Sequence, residues 1–190
     1  MWRSIGDFLN RQLPPGCLTV IAGRPGMGCT SLAKQLMSAD RLPKKRRIGE
    51  IYRNPNRGAL LLDLAQARKE MAGHSVLDPP IYPVATEVKN LAAKLGVPAI
   101  VTCSLPREIE EQADKKPTLD DFLAAHGAEA ASAADTIVLL YRNAYYEDES
   151  WNTTDFSAEI AVVKNGFGSV GRICCNWTRD PEHGGIFFYD

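Results

Sequence analysis

The chain lacks any apolar run long enough to cross a membrane, and its N-terminus lacks the charged, apolar and small-residue order of a secretory leader. It has no charge excess either. Its 22 Lys and Arg face 23 Asp and Glu, a net charge of −1, so no global field draws it to nucleic acid and any such binding has to come from a local patch. Histidine is scarce and scattered (His74, His126, His183), and the five cysteines form no C-x-x-C pair, so a zinc site is not expected. Those cysteines (Cys17, Cys29, Cys103, Cys174, Cys175) are odd in number, and four sit in apolar, strand-like surroundings. This argues against a disulfide scaffold and for reduced thiols in a cytoplasmic protein. No internal repeat or low-complexity tract is visible. What remains is an ordinary globular composition, 45% apolar and 24% charged over 190 residues, which suffices for a single domain over 1–190 with a substantial core.

The absence that matters most is of one lysine. Leu18–Ala22 reads as a short buried strand, Gly23–Gly28 as a glycine loop, and Cys29 onward as a helix start. The spacing G-x-x-x-x-G-x-T is that of a P-loop with Cys29 where lysine belongs. Gly23, Gly26 and Gly28 permit backbone angles closed to other residues and let main-chain N–H groups approach an anion. The helix start adds the positive end of its dipole. Gly23, Arg24, Pro25, Gly26, Met27, Gly28, Cys29, Thr30 and Ser31 are thus the expected nucleotide-binding residues, with ATP as the ligand and the Thr30 hydroxyl on Mg²⁺. Losing the lysine removes a charge-assisted contact of about 1.5–3 kcal/mol, or one to two decades of affinity. The thiol itself reads as a small neutral filler, with a reactive thiolate as the alternative.

Residues 1–13 have near-helical apolar spacing (Trp2, Ile5, Phe8, Leu9, Leu13) and predict a short amphipathic helix stopped by Pro14-Pro15-Gly16. Residues 41–58 form a basic loop in which Arg41, Lys44, Lys45, Arg46, Arg47, Arg53 and Arg57 oppose a lone Glu50. It reads as a solvated loop, or as a phosphate-contacting patch for nucleic acid through Lys44, Lys45, Arg46 and Arg47. Ala59–Asp63 predicts a buried parallel-type strand that lies beside the first one. Asp63 ends it as a Walker B carboxylate that would hold the Mg²⁺ water shell. A helix is expected over Val84–Leu95, a strand over Pro98–Cys103, mostly helix over Leu119–Ala134 and a strand over Thr136–Tyr141. Ala158–Lys164 and Gly171–Cys175 read as a hairpin and Ile186–Tyr189 as a last edge strand. Strands and helices alternate early and strands cluster late, which predicts an α/β three-layer domain with an antiparallel C-terminal extension.

The order of these segments resembles the C-terminal RecA-like motor domain of the DnaB-type replicative helicases. The likeness is carried by Leu18–Thr30, Leu61-Leu62-Asp63-Leu64-Ala65-Gln66 and Leu91–Pro98. It continues through Glu111-Gln112-Ala113-Asp114-Lys115-Lys116-Pro117, Tyr141-Arg142-Asn143-Ala144-Tyr145-Tyr146 and Lys164-Asn165-Gly166. The resemblance implies a RecA-like core with a mostly parallel sheet, and ATP-driven translocation on single-stranded DNA by a hexameric ring. In such a ring a neighbour supplies basic finger residues to each site. The N-terminal domain and linker that help build the ring have no counterpart in these residues, so a homo-oligomer, a monomer or dimer, or a role beside a helicase or replisome partner are all open.

Departures from the family pattern gather at chemistry. The lysine is Cys29. The strand ending in Ser-Leu-Glu is missing, since only 32 residues separate Thr30 from Asp63, and Glu50 is the one replacement for its water-activating glutamate. The phosphate-sensing Gln corresponds to Ser104, with Arg107 kept. The Lys-x-Arg-Asn-Gly finger corresponds to Val162–Gly166, leaving Lys164, which cannot give an arginine's bidentate grip. The Arg-Glu-x-Gly DNA turn falls near Ala124–Gly127 without its basic residue. The expectation is a nucleotide-binding domain with weak or no hydrolysis. Alternatives are a slow motor using Lys164, Arg107 or a basic-loop residue as substitute cation, and an interaction module that binds no nucleotide.

Overall fold

A computed structural model of the chain describes residues 5, 8, 13–38, 60–64, 81–147, 155–179 and 185–190. The basic loop, with Glu50, Lys44, Lys45, Arg46 and Arg47, lies outside the described residues. So does most of the expected N-terminal helix, of which Ile5 and Phe8 are helical and buried.

The elements are β1 (Leu18–Gly23), α1 (Cys29–Ser38), β2 (Leu60–Asp63), α2 (Tyr82–Leu95), β3 (Ala99–Ser104), a 3₁₀ turn (Arg107–Glu111) and α3 (Leu119–Ala133). They continue with β4 (Thr136–Tyr141), the single turn α4 (Ala144–Glu147), β5 (Ser157–Asn165), β6 (Gly171–Arg179) and β7 (Ile186–Tyr189). The seven strands form one sheet in the order β2-β3-β1-β4-β5-β6-β7. The first four run parallel and the last three pair antiparallel, as the sequence leads one to expect.

Each boundary has a local cause. The continuous apolar runs of β1, β3 and β4 are buried on both faces, as parallel strands covered by helices require. Helix α2 starts with a proline in its first turn and ends at Gly96, whose left-handed φ of 62° lets its N–H cap the Ala92 and Ala93 carbonyls. Helix α3 opens on a Thr118/Asp121 capping box. It bends at Gly127 (φ 84°, ψ 164°), a break inside the single helical run read from the sequence.

The path from β1 to β2 crosses the sheet one way and the path from β3 to β4 crosses it the other way. Right-handed crossovers then put α1 on one face and α2 with α3 on the other. Two cores follow. One packs Leu32, Ala33 and Leu36 of α1 against Ile21, Leu140, Ile160, Trp177 and Phe188. The other packs Ala85 and Ala92 of α2 and Phe122 and Ala130 of α3 against Val20, Val101 and Leu139. The expected neighbourhood of β2 needs correction: β3 stands between it and β1, because the α2 connection returns the chain inward. At about 4.8 Å per strand, Asp63 is roughly 10 Å from the line of β1.

The bottom of the sheet is tied at Asp135. Its carboxylate accepts the Leu18 N–H at 2.9 Å and the Lys89 ammonium at 2.9 Å. At the other end, β7 is joined to α1. The Gln35 side chain donates to the Phe188 carbonyl at 2.5 Å and accepts the Phe188 N–H at 3.0 Å, and the Ile186 N–H donates to Ser31 Oγ at 3.1 Å. Ser31 and Gln35, four apart on a helix, match alternate residues on a strand because both spacings are close to 6 Å. They satisfy an edge that would otherwise present bare backbone groups. Gln35→Ala leaves two of those groups without partners, and we expect a loss of about 1–3 kcal/mol in chemical denaturation, with faster amide exchange at Phe188.

Candidate functional site

Strand β1 is the strand about which the connections reverse direction, and in open α/β sheets the crevice beyond such a strand's C-terminal end is where ligands bind. The glycine loop lies there. It borders a cavity of about 240 Å³ lined by Gly23, Arg24, Pro25, Gly26, Gly28, Cys29, Thr30 and Ser31, with Thr102, Cys103 and Ser104 from β3 and Gly185 and Ile186 before and in β7. Of the nine loop residues read from the sequence, eight line it. Met27 is the exception, turned inward and 1% exposed in the α1-side core.

The loop is built for glycine. Gly26 has φ 90° and Gly28 φ 103°, both in the region that side chains disfavour. A Cβ on Gly28 would stand 3.0 Å from Phe188 Cζ, and one on Gly185 would stand 2.9 Å from Ser31 Oγ. The C-terminal strand thus fits the loop so closely that no side chain can intervene. A Cβ on Gly23 would lie 2.9 Å from Cys29 Sγ, so the thiol is turned back toward β1 and packs at the margin of the core. Its position is that of a small filler. The ten-residue helix α1 begins at Cys29 and points its N-terminus at the cavity.

Two cations bracket the loop. Arg24 is committed to the 3₁₀ turn: its Nε donates to Glu110 Oε1 at 2.7 Å and its Nη1 to the Leu105 carbonyl at 2.7 Å. Arg142 lies on the inner side, 2% exposed, and donates from Nε to the Met27 carbonyl at 2.9 Å and from Nη2 to the Gly26 carbonyl at 2.6 Å. The Trp177 ring covers the guanidinium at 4.3 Å. Burial pulls the Arg142 pKa down to about 10, with Cys29 and Tyr145 acting the other way. Arg142 had a signal in the sequence, as a member of the Tyr-Arg-x-x-Tyr-Tyr motif, but nothing there tied it to the loop more than a hundred residues earlier.

The other expected residues are spread out. Asp63 closes β2 and pairs in register with Thr102, one strand beyond the cavity wall. Ser104 lines the cavity, and its carbonyl accepts Nε2 of the buried His126 at 3.1 Å. His126, at the position where the resemblance leads one to expect a DNA-contacting turn, is therefore turned into the fold. Arg107 is 85% exposed at the turn, 3.4 Å from Glu110. Lys164 sits at the opposite end of the sheet from the loop. Its Nζ donates to the Ala131 and Ala134 carbonyls at 2.6 Å each, closing the C-terminus of α3.

Two of the stretches that carry the resemblance meet in space. Lys115 lies over the Tyr146 ring at 4.8 Å and Lys116 over Tyr141 at 5.9 Å, while Tyr146 stacks near Tyr141 and meets Tyr145 edge-on. Lys116 also pairs with Glu159 at 3.0 Å, and Glu159 accepts Arg172 from β6 as well. This cluster fixes the segment that carries Arg142.

The Arg24 guanidinium holds the Glu110 carboxyl below the usual glutamate range, chiefly by its hydrogen bond. The unfolded chain therefore takes up that proton first as pH falls. The pair's stabilisation is complete at neutral pH and is lost below the ordinary value of about 4.3. Glu110→Gln should cost about 1 kcal/mol at pH 7 and flatten the fall in stability between about pH 5 and pH 3, read by denaturant titration at each pH.

A family model described as the DnaB-like helicase C terminal domain matches residues 46–183. Replicative DNA helicase DnaC of Bacillus subtilis (strain 168) is 31% identical over 97 residues, 51% of this chain and 20% of that protein. A probable plasmid replicative DNA helicase of Chlamydia psittaci is 30% identical over 121 residues, 64% of this chain and 25% of that protein. The chain thus spans about a fifth to a quarter of the length of these relatives. Among solved structures, one of a DnaB-like replicative helicase and its interactions with primase aligns with TM-score 0.59 and 19% identity, over 88% of this chain and 57% of that one. A second solved structure, of an ATPase domain, aligns with TM-score 0.58 and 16% identity, over 93% of this chain and 86% of that one. These likenesses establish the RecA-like fold. The matched segment takes in β2 through β6 and the motif stretches that pack together beside the loop, and the chain belongs to the DnaB-like helicase C-terminal domain family.

Proposed function

We propose that this domain binds ATP or a related nucleotide through Gly23–Ser31, hydrolyses it weakly or not at all, and acts within a DNA replication or helicase assembly. The observation that carries this reading is the glycine loop itself. It closes the central strand with φ of 90° and 103° at Gly26 and Gly28, faces a cavity of about 240 Å³, and feeds the N-terminus of α1. That cradle fits a phosphate group, since backbone N–H groups and the helix end supply attraction without a side chain. Thr30, which borders the cavity, and Asp63, at the end of β2, would hold Mg²⁺. The ion held there would supply charge neutralisation to a phosphate group in the cavity.

Weak turnover follows from what stands at the other positions. Cys29 turns its thiol back toward Gly23 and offers no cation. Lys164 is engaged at the end of α3, and Arg24 with Glu110. Loss of a transition-state cation costs phosphoryl transfer far more than it costs ground-state binding. Single-stranded DNA and a second copy of the chain, or a helicase partner, are the proposed associates. Lys44, Lys45, Arg46 and Arg47 are the proposed phosphate contacts.

Calorimetry with Mg-ATP tests the site. Cys29→Lys should tighten binding by about ten- to a hundredfold, and Asp63→Ala should abolish the gain in the presence of Mg²⁺. No change on Cys29→Lys would mean that the loop is not a nucleotide site and would favour the interaction-module reading. Turnover well above background by the unaltered chain would favour the slow motor. If the basic residues carry DNA binding, affinity for single-stranded DNA should fall steeply between about 50 and 200 mM salt, with a slope lowered by about 0.7 for each lysine or arginine removed. A flat salt response would count against them.

A further inference from the structure

A buried guanidinium requires an explanation wherever it is found, because taking such a charge out of water is costly unless it is paired. Arg142 is 2% exposed, and among the described residues no carboxylate lies within ion-pair distance of it. It is held instead by two carbonyl dipoles, those of Gly26 and Met27, and by the face of Trp177. Carbonyls and an aromatic face soften the cost of the charge without neutralising it. Both carbonyls belong to the glycine loop, and the loop's other side is the cavity.

The geometry of the peptide carries the consequence across. The peptide bonds here are trans, so each C=O and its N–H point in opposite directions. With the Met27 carbonyl drawn to the guanidinium, the Gly28 N–H points the opposite way, away from Arg142, and Gly28 itself lines the cavity. The Met27 N–H is taken by the Arg24 carbonyl at 3.1 Å, which closes the loop's turn. A cation on a carbonyl also polarises the same peptide's N–H and makes it a stronger donor.

We propose that Arg142 is a positioning residue that supplies, from behind the glycine loop, the positive charge missing in front of it at Cys29. Its unmet counter-ion is the phosphate group that the cavity would receive. The role rests on reading the cavity as a phosphate site. It differs from that of a P-loop lysine: the charge reaches the anion through the loop backbone and makes no contact with it. It therefore supports ground-state binding of a polyphosphate more than it supports transfer.

Two variants separate charge from fold. Arg142→Gln keeps an N–H donor for a loop carbonyl and removes the charge. Arg142→Lys keeps the charge and loses the two-pronged grip. Binding of Mg-ATP and of inorganic tripolyphosphate is measured by calorimetry on the full chain, with circular dichroism to verify folding. The glutamine variant should weaken tripolyphosphate binding about tenfold or more, and the lysine variant should stay within about threefold of the unaltered chain. Equal affinity in the unaltered chain and the glutamine variant overturns the proposal, as does a lysine variant as weak as the glutamine one. Should Arg142→Gln not fold, the lysine variant decides: retention within threefold supports the role and a tenfold fall overturns it. Tripolyphosphate binding without Mg-ATP binding removes the nucleotide reading and leaves the role of Arg142 standing. If the unaltered chain binds neither, both fall.

Discussion

Two carbonyl oxygens of the glycine loop point into the domain, and one buried guanidinium holds them there. The rest of the site is arranged around that grip. With the Gly26 and Met27 carbonyls turned inward to Arg142, the loop has one orientation in which its turn closes, Met27 fills the core and Gly28 faces the cavity. Arg142 is itself held from three sides. Trp177 of β6 covers its plane, and the tyrosines on either side of it in the chain, Tyr141 and Tyr146, lie under Lys116 and Lys115. Glu159 on β5 then fastens Lys116 to Arg172. A path of contacts runs from the antiparallel extension, through the aromatic cluster, to the glycine loop.

The Glu111–Pro117 and Tyr141–Tyr146 stretches that carry the resemblance are packing segments of that path. Aromatic and aliphatic neighbours share one dense interior, where a change of a single methylene is felt by all of them. A lysine over a cavity is surrounded by solvent and ligand, and its loss costs affinity without costing the fold. The thiol of Cys29 lies against Gly23 and fills its space adequately. At Lys164 the charge is kept for a structural use, closing α3 through two carbonyls. The buried His126 likewise serves the fold, through the Ser104 carbonyl and the Phe122 ring at 5.0 Å.

Much of the fold was legible before any coordinates. The strands β1, β3 and β4 were visible because parallel strands buried on both faces must be continuously apolar. Helix α2 was visible because its apolar residues keep helical spacing up to a glycine that can turn left-handed. The loop was visible because its glycines recur at a fixed spacing between a buried strand and a helix start. The bend at Gly127 was not, since one glycine in a helical run can be tolerated or can break it, and only the packing of His126 and Phe122 beside it decides. The placement of β2 beside β3 rather than β1 was hidden for a related reason. A local apolar run predicts that a strand is buried, but not which strands are its neighbours.

The sequence by itself determined the element types, the parallel-then-antiparallel order, the family and the vacancy left by lysine at Cys29, because each of these is written in local periodicity or spacing. Tertiary structure alone decided that Arg142 lies under the loop, that Ser31 and Gln35 seal the edge of β7, and that Lys164 faces a helix end. Those contacts join residues 30 to 155 positions apart, and chain separation carries no record of which buried charge or bare backbone group will find which partner.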